Sequence, residues 1–214
     1  MKMRVVNSRQ SYAAVVLIAV MAASVAYVMA SRTSHVVSYE KSDRVLKHGE
    51  LPNQQKPDRE VVATYKPAQT YYPKAITISR LGMAARIIDV GKTGTGDIES
   101  PANIYDVGWV RTTSLPSAST GFMALVGYVK GNNQDGIFAQ LSQLRQGDGI
   151  IIESGDGKIS SFLVLSSKDV ASSDSLANTL LAPKQDAEFE LRLTSITGPF
   201  EKPSLRRLVT AKRQ

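Results

Sequence analysis

EFELRLTSITGPF, Glu188 to Phe200, is the stretch on which the architecture turns. Phe189, Leu191 and Leu193 recur every second residue, while Glu190, Arg192 and Thr194 take the alternate positions. That is the pattern of a strand with one face in a core, and Gly198-Pro199 ends it in a turn. Such a strand needs partners, and the chain on both sides supplies them. Leu205–Ala211 reads as a last strand after it. Before it, Ser166–Lys184 is a polar connection with a short helix predicted at Ser175–Leu181.

Further upstream, Ile150–Glu153 and Ile159–Leu165 form a hairpin through the Gly155-Asp156-Gly157 turn. Ile137, Phe138, Leu141 and Leu144 have helical spacing and predict one short helix over Gly136–Arg145, ended by Gly147-Asp148-Gly149. Gly121–Val129 is a strongly apolar, buried strand. Thr112–Thr120, rich in Ser and Thr, is a surface loop, and Asp106–Val110 is a strand carrying the only Trp. The glycine-rich Gly91–Asp97 lacks the full phosphate-loop spacing and leads to Pro101 rather than a helix, so it reads as a hairpin-type loop. Ala84–Val90 and Ala75–Ile78, parted by a turn at Gly82, complete the set. Short strands punctuated by turns over residues 71–214 predict an all-β domain closed or nearly closed into a barrel, with one or two short helices.

Residues 31–70 differ in kind. They mix seven basic with five acidic residues, Gln, Asn and three prolines without a period, which predicts a flexible stalk with a short helix around Glu40–Lys47. Both histidines, His35 and His48, fall here, without the acidic or Cys companions of a metal site, and read as solvated. Between Arg9 and Arg32 there is no charge, and Tyr12–Ala30 is close to the ~20 apolar residues of a membrane-spanning helix. Lys2, Arg4 and Arg9 before it predict a cytoplasmic N-terminus at residues 1–11 and an extracytoplasmic C-terminal domain. Val28-Met29-Ala30 offers the alternative of a cleaved signal peptide, but the run exceeds the usual ~7–15-residue core of such signals, which favours an anchor over residues 12–30.

The net charge of +7 is unevenly spread: residues 71–214 hold sixteen basic against fourteen acidic residues. A near-neutral domain behind a basic membrane flank argues for topology and against nucleic-acid binding. The absence of cysteine from all 214 residues removes disulfides, thiolate catalysis and Cys-type zinc sites together. No cofactor or metal site is legible.

The order of these features resembles the catalytic domain of sortases, in particular the class E/F-like group. The resemblance runs over nearly all of residues 71–214. It includes Ile76-x-Ile78, the glycine-rich loop leading to Pro101-Ala102-Asn103, Val107-Gly108-Trp109 and Gly127-x-Val129. It continues through Gly136-Ile137-Phe138-x-x-Leu141-x-x-Leu144-x-x-Gly147-Asp148, Leu191-Arg192-Leu193, Gly198, Phe200-Glu201 and the arginine-rich final strand. It implies an eight-stranded barrel on a membrane-anchored, exported protein. It also implies a cysteine transpeptidase ancestry, in which a sorting motif is cut through a thioester and passed to an amine.

Two of the three catalytic positions that the resemblance implies are substituted. Where the family has Gly-His-Val this chain has Gly127-Tyr128-Val129, so the histidine position is Tyr128. Where the family has Thr-Cys it has Ser195-Ile196, so the cysteine position is Ile196. The family's arginine, which stabilises the oxyanion and substrate carbonyl, corresponds to Arg206, with Arg207 as the alternative. Ile196 has no lone pair to offer, and Ser195 as a fallback nucleophile needs a base such as Lys130 or a carboxylate. The expectation is a transpeptidase-inactive homologue whose groove, lined by Tyr128, Ser195, Ile196 and Arg206, binds a peptide or surface protein. Two alternatives stand beside it: an acyl transferase or peptidase using Ser195, and a structural β domain of an envelope assembly.

Overall fold

A computed structural model describes residues 45–46, 50–173, 175–183, 188–197 and 205–214. The anchor predicted for residues 12–30, the cytoplasmic segment 1–11, both histidines and most of the helix predicted at Glu40–Lys47 lie outside these residues. Among the described residues no helix is long and apolar enough to cross a membrane.

Eight strands close on themselves: β1 Pro73–Ile78, β2 Met83–Val90, β3 Val107–Val110, β4 Phe122–Tyr128, β5 Gly149–Ser154, β6 Ile159–Ala171, β7 Glu190–Ile196 and β8 Leu205–Arg213. Their order around the barrel is β8-β6-β5-β1-β2-β3-β4-β7, with β7 returning to β8. Neighbours run antiparallel except β2–β3 and β4–β7, which are parallel. Two short helices, α1 (Arg59–Thr64) and α2 (Leu176–Leu180), lie outside the barrel, as does a two-residue pairing of Val45–Leu46 with Ser100–Pro101.

The two-residue period divides the side chains into two cores. Ile76, Ile78, Ile87, Trp109, Met123, Leu125, Ile150, Ile152, Phe162, Leu191, Leu193 and Val209 point inward and fill the barrel. The alternate residues of five adjacent strands form a second cluster on the outside: Ile88 and Val90, Val110, Ala124, Val126 and Tyr128, Ile196, and Leu208. Leu176 and Leu180 of α2 and Ile98 and Ile104 from the β2–β3 connection cover it. This arrangement explains why β4 reads as a nearly continuous apolar run: both of its faces are buried, as are both faces of the parallel β7 beside it, whose outward polar residues are covered as well.

Three expectations are corrected. Gly136–Arg145 is not a helix; only Leu141–Gln143 closes a 3₁₀ turn. The Gly136 and Phe138 amides donate to the Val129 and Tyr128 carbonyls of the adjoining strand end, so these donors are already taken up. The apolar spacing was real, since Phe138, Leu141 and Leu144 are buried in the barrel. The strand expected to stop at Leu165 continues to Ala171. A bulge shifts its register against β8, Thr210 pairing with Ser166 but Ala211 with Val164. The polar residues beyond the bulge keep the ladder but have one open face, so they lack the apolar signal of a strand.

The third correction concerns the stalk, whose second half lies on the barrel. The Asn53 amide donates to the Ala102 carbonyl at 2.7 Å, and its carbonyl accepts from the Ile104 amide at 3.0 Å. Asn103 Nδ2 donates to the Gln55 carbonyl, and Gln54 Oε1 accepts from the Asn132 amide. Pro52 is buried, and Tyr65 lies over the Arg86 guanidinium at 5.3 Å. Amide and backbone hydrogen bonds hold much of this strap, with Pro52 and Tyr65 its few apolar contacts. A composition argument built on apolar residues therefore reads it as disordered.

Candidate functional site

The parallel β4–β7 pair ends with Tyr128 opposite Ile196. The Val129 amide donates to the Ile196 carbonyl at 2.8 Å, and the Phe138 amide to the Tyr128 carbonyl at 2.8 Å, so the backbone around both positions is fixed from either side. Two glycines make this junction possible. A Cβ on Gly127 would lie 2.6 Å from the Phe138 ring, and one on Gly136 would lie 2.3 Å from the Tyr128 carbonyl oxygen. These glycines lead two of the motifs read in the sequence, Gly127-x-Val129 and Gly136-Ile137-Phe138.

Tyr128 is fully buried and Ile196 is 5% exposed, both within the outer cluster. The Tyr128 hydroxyl donates to the Pro101 carbonyl at 3.1 Å. Burial pushes its pKa up to about 12, against a hydrogen bond from the Ser100 side chain that acts the other way. Across the neutral range it is therefore a neutral hydrogen-bond donor with its proton in use, and it cannot act as a base. Ile196 is hydrocarbon. The two side chains do what core side chains do: they fill space and satisfy one carbonyl.

Arg206 shares this outer face, being two residues before Leu208 of the same cluster and paired with Val170 of β6. Tyr128, Ile196 and Arg206 thus lie on one side of the barrel. Arg207 points the other way, its guanidinium 3.0 Å from the Asp169 carboxylate. Ser195 also lies on the inward side, 3% exposed, with its hydroxyl oxygen accepting from the Arg207 amide at 2.9 Å. It is separated from the Tyr128–Ile196 face by the sheet itself. Lys130 is exposed just beyond β4, and among the described residues no group of three His, Cys, Asp or Glu side chains gathers to hold a metal.

The feature that sequence reasoning missed is Arg192. It is only 7% exposed on the outer face of β7, ion-paired to Glu190 and stacked over the Phe122 ring at 4.1 Å. Its Nη1 donates to the carbonyls of Leu180, at 3.0 Å, and Ala182, at 2.5 Å, at the C-terminal end of α2. An arginine set between two core leucines, Leu191 and Leu193, was the signal available. A cleft of about 480 Å³ opens beside it, lined by Lys168, Val170, Thr179, Glu190, Arg192 and Leu208 among others.

The sortase-domain family model matches residues 76–214, the whole barrel but for its first three residues. The chain belongs to the sortase family. Among solved structures, sortase A from Corynebacterium diphtheriae aligns with a TM-score of 0.52 at 23% identity, over 69% of this chain and 62% of that one. Sortase E1 from Streptomyces coelicolor, solved with a tripeptide in its active site, gives 0.52 at 21% identity over 70% and 91%. Sortase C1 from Streptococcus agalactiae gives 0.53 at 15% over 85% and 84%. Identities this low establish the shared barrel and no more, and this chain spans about three fifths of the diphtherial enzyme's length. No curated protein matches the sequence.

Proposed function

We propose that this sortase-family chain is class E/F-like, lacks transpeptidase activity, and binds a peptide or partner protein on the outer face of β4, β7 and β8. One observation supports the proposal: Tyr128 and Ile196, the positions that motif spacing matches to the family's histidine and cysteine, are paired and buried, and neither side chain can supply the thiolate or imidazole that the family's reaction needs. Ser195 does not replace them, because its hydroxyl lies on the inward side and accepts a backbone hydrogen bond. The near-neutral charge of residues 71–214 favours peptide over nucleic acid as the partner. Residues 12–30 would anchor the chain in the membrane with the barrel outside, and an intact mass that includes them distinguishes an anchor from a cleaved signal.

The test is incubation of the purified chain with a sorting-motif peptide and an amine acceptor. No product is expected; turnover that disappears in Ser195→Ala overturns the proposal in favour of a rebuilt serine enzyme. Peptide binding that weakens in Arg206→Ala supports a binding face. The burial of Tyr128 and Ile196 also favours a second reading, a structural β domain of an envelope assembly, and the absence of any peptide binding would select it.

A further inference from the structure

The outer side of β8 carries Arg206, Leu208, Thr210 and Lys212, alternate residues of one strand. On β6 the register sets Val170 opposite Arg206, Lys168 opposite Leu208 and Ser166 opposite Thr210. On β7 it sets Arg192 opposite Thr210 and Glu190 opposite Lys212. The Ser166 and Thr210 hydroxyls share a hydrogen bond at 2.9 Å, so both lie on this face. α2 keeps its place at one margin, with Leu176 and Leu180 buried in the outer cluster. Between the helix and the strip lies the cleft of about 480 Å³, with Asn178 and Thr179 on the helix side and Val170, Leu208 and Thr210 on the sheet side. A volume in this range suits a few peptide side chains rather than a folded surface.

Charge on this strip has one sign in excess. Arg192 is ion-paired to Glu190 and donates to the Leu180 and Ala182 carbonyls, which makes it a fixed part of the cleft. Lys168 and Lys212 remain, both exposed, and Arg206 extends their row. Asp169, between Lys168 and Val170, faces the other way, to Arg207. Even with Arg206 set aside, the charges of Lys168, Arg192, Lys212 and Glu190 sum to +2, as much as the net charge of all residues 71–214. Elsewhere on the barrel, surface cations answer an acid: Lys74 meets Glu153, Arg111 meets Asp89 and Lys158 meets Asp156. The positive excess of a near-neutral domain is thus gathered beside one cleft, where it is complementary to an anionic partner.

From this placement we infer that the β6–β8 strip binds an extended, acidic peptide segment with an aliphatic residue among its acids. The inference rests on the binding-face reading above and specifies the ligand of that face. Carboxylates meet Lys168 and Lys212, and the aliphatic side chain enters the cleft over Val170 and Leu208. From Arg206 to Lys212 the strand runs roughly 20 Å at ~3.3 Å per residue, the span of an extended segment of about six residues. A nucleic acid fits less well, because its closely spaced phosphates call for a denser row of cations. A flat anionic bilayer would meet the two lysines but not the cleft between helix and sheet. Because both lysines are exposed, the attraction weakens as salt is raised.

The experiment uses the full chain in neutral detergent and the fluorescence anisotropy of a short labelled peptide carrying three Glu and one Val among Ser residues. It should bind at least tenfold tighter than the same peptide with Gln for Glu, and at least threefold tighter than with Ser for Val. Lys168→Glu/Lys212→Glu should weaken binding at least tenfold. Arg145→Glu/Lys158→Glu, the same change of net charge at exposed sites away from the strip, should leave it within twofold. Lys168→Gln/Lys212→Gln should give an intermediate loss, and serves should the reversal disturb the fold, as reported by fluorescence of the buried Trp109. No binding of the Glu peptide, equal binding of either altered peptide, or equal losses in the two Glu double variants would each overturn the inference. Displacement of the peptide by short-chain phosphatidylglycerol or by oligothymidylate at lower concentrations than by unlabelled peptide would overturn it in favour of lipid or nucleic acid. A neutral sorting-motif peptide that binds where the Glu peptide does not would overturn this ligand and leave the binding face standing, so the two failures are separable.

Discussion

The two cores of this barrel are built by the same alternation yet answer to different demands. The inner one draws on all eight strands, and closing the barrel depends on its being filled. The outer one covers five adjacent strands and is completed by a loop and a helix that belong to no sheet. Tyr128 and Ile196, at the ends of β4 and β7, belong to the outer cluster and not to the packing that fills the barrel. Under the reading proposed above, a change of side chain at these two positions leaves the elements that close the barrel untouched.

The largest effect should come from a place belonging to neither core. Arg86 donates to both carboxylate oxygens of Asp106, at 2.7 and 2.9 Å, with both side chains almost fully buried. Asp106→Ala should lower stability by about 3–5 kcal/mol in urea unfolding, the penalty of a buried charge stripped of its partner. A loss below about 1 kcal/mol would mean that water reaches Arg86.

The comparison of cores is tested directly by truncating one leucine in each. Leu193→Ala in the barrel should cost about 2–5 kcal/mol, whereas Leu180→Ala on α2 should cost about 2 kcal/mol or less, because an unseated helix relaxes around the gap. Equal losses would erase the distinction between a closed core and a covered one.

Tyr128 offers a subtler probe. Its pKa is about 12 folded against an ordinary 10.0 unfolded, so the folded state holds the phenolic proton more tightly. Its contribution is complete below pH 10 and is lost as pH rises through 10 towards 12, by at most roughly 3 kcal/mol. Tyr128→Phe should cost about 1 kcal/mol at neutral pH and show a shallower stability decline between pH 10 and 12. Identical alkaline profiles would show the hydroxyl to be solvated. Smallest of all, Lys158→Ala, which removes an exposed turn pair with Asp156, should leave the melting temperature unchanged.

Where the sequence was legible, apolar patterning sufficed. Alternating apolar residues marked Ile76–Ile78 and Leu191–Leu193, a continuous apolar run marked Phe122–Tyr128, and turn glycines marked the ends. Motif spacing singled out Tyr128 and Ile196, and the β4–β7 register sets the two residues opposite each other. The misses share a cause. Asn53, Gln54 and Gln55 join the barrel by hydrogen bonds, Ser166–Ala171 by a ladder with one open face, and Arg192 by its reach to carbonyls of another element. None of these leaves a periodic apolar trace, and each is a polar contact between segments distant in sequence or outside the sheet.

The parallel pairing of β4 with β7 has a consequence for how the molecule assembles. Hairpins such as β1–β2 and β5–β6 join segments already close along the chain and can form early. β4 and β7 meet only after everything between them has been gathered, which raises contact order and delays that seam. The Tyr128–Ile196 junction should thus be among the last regions to acquire native protection during refolding, and α2 can seat only once it has formed.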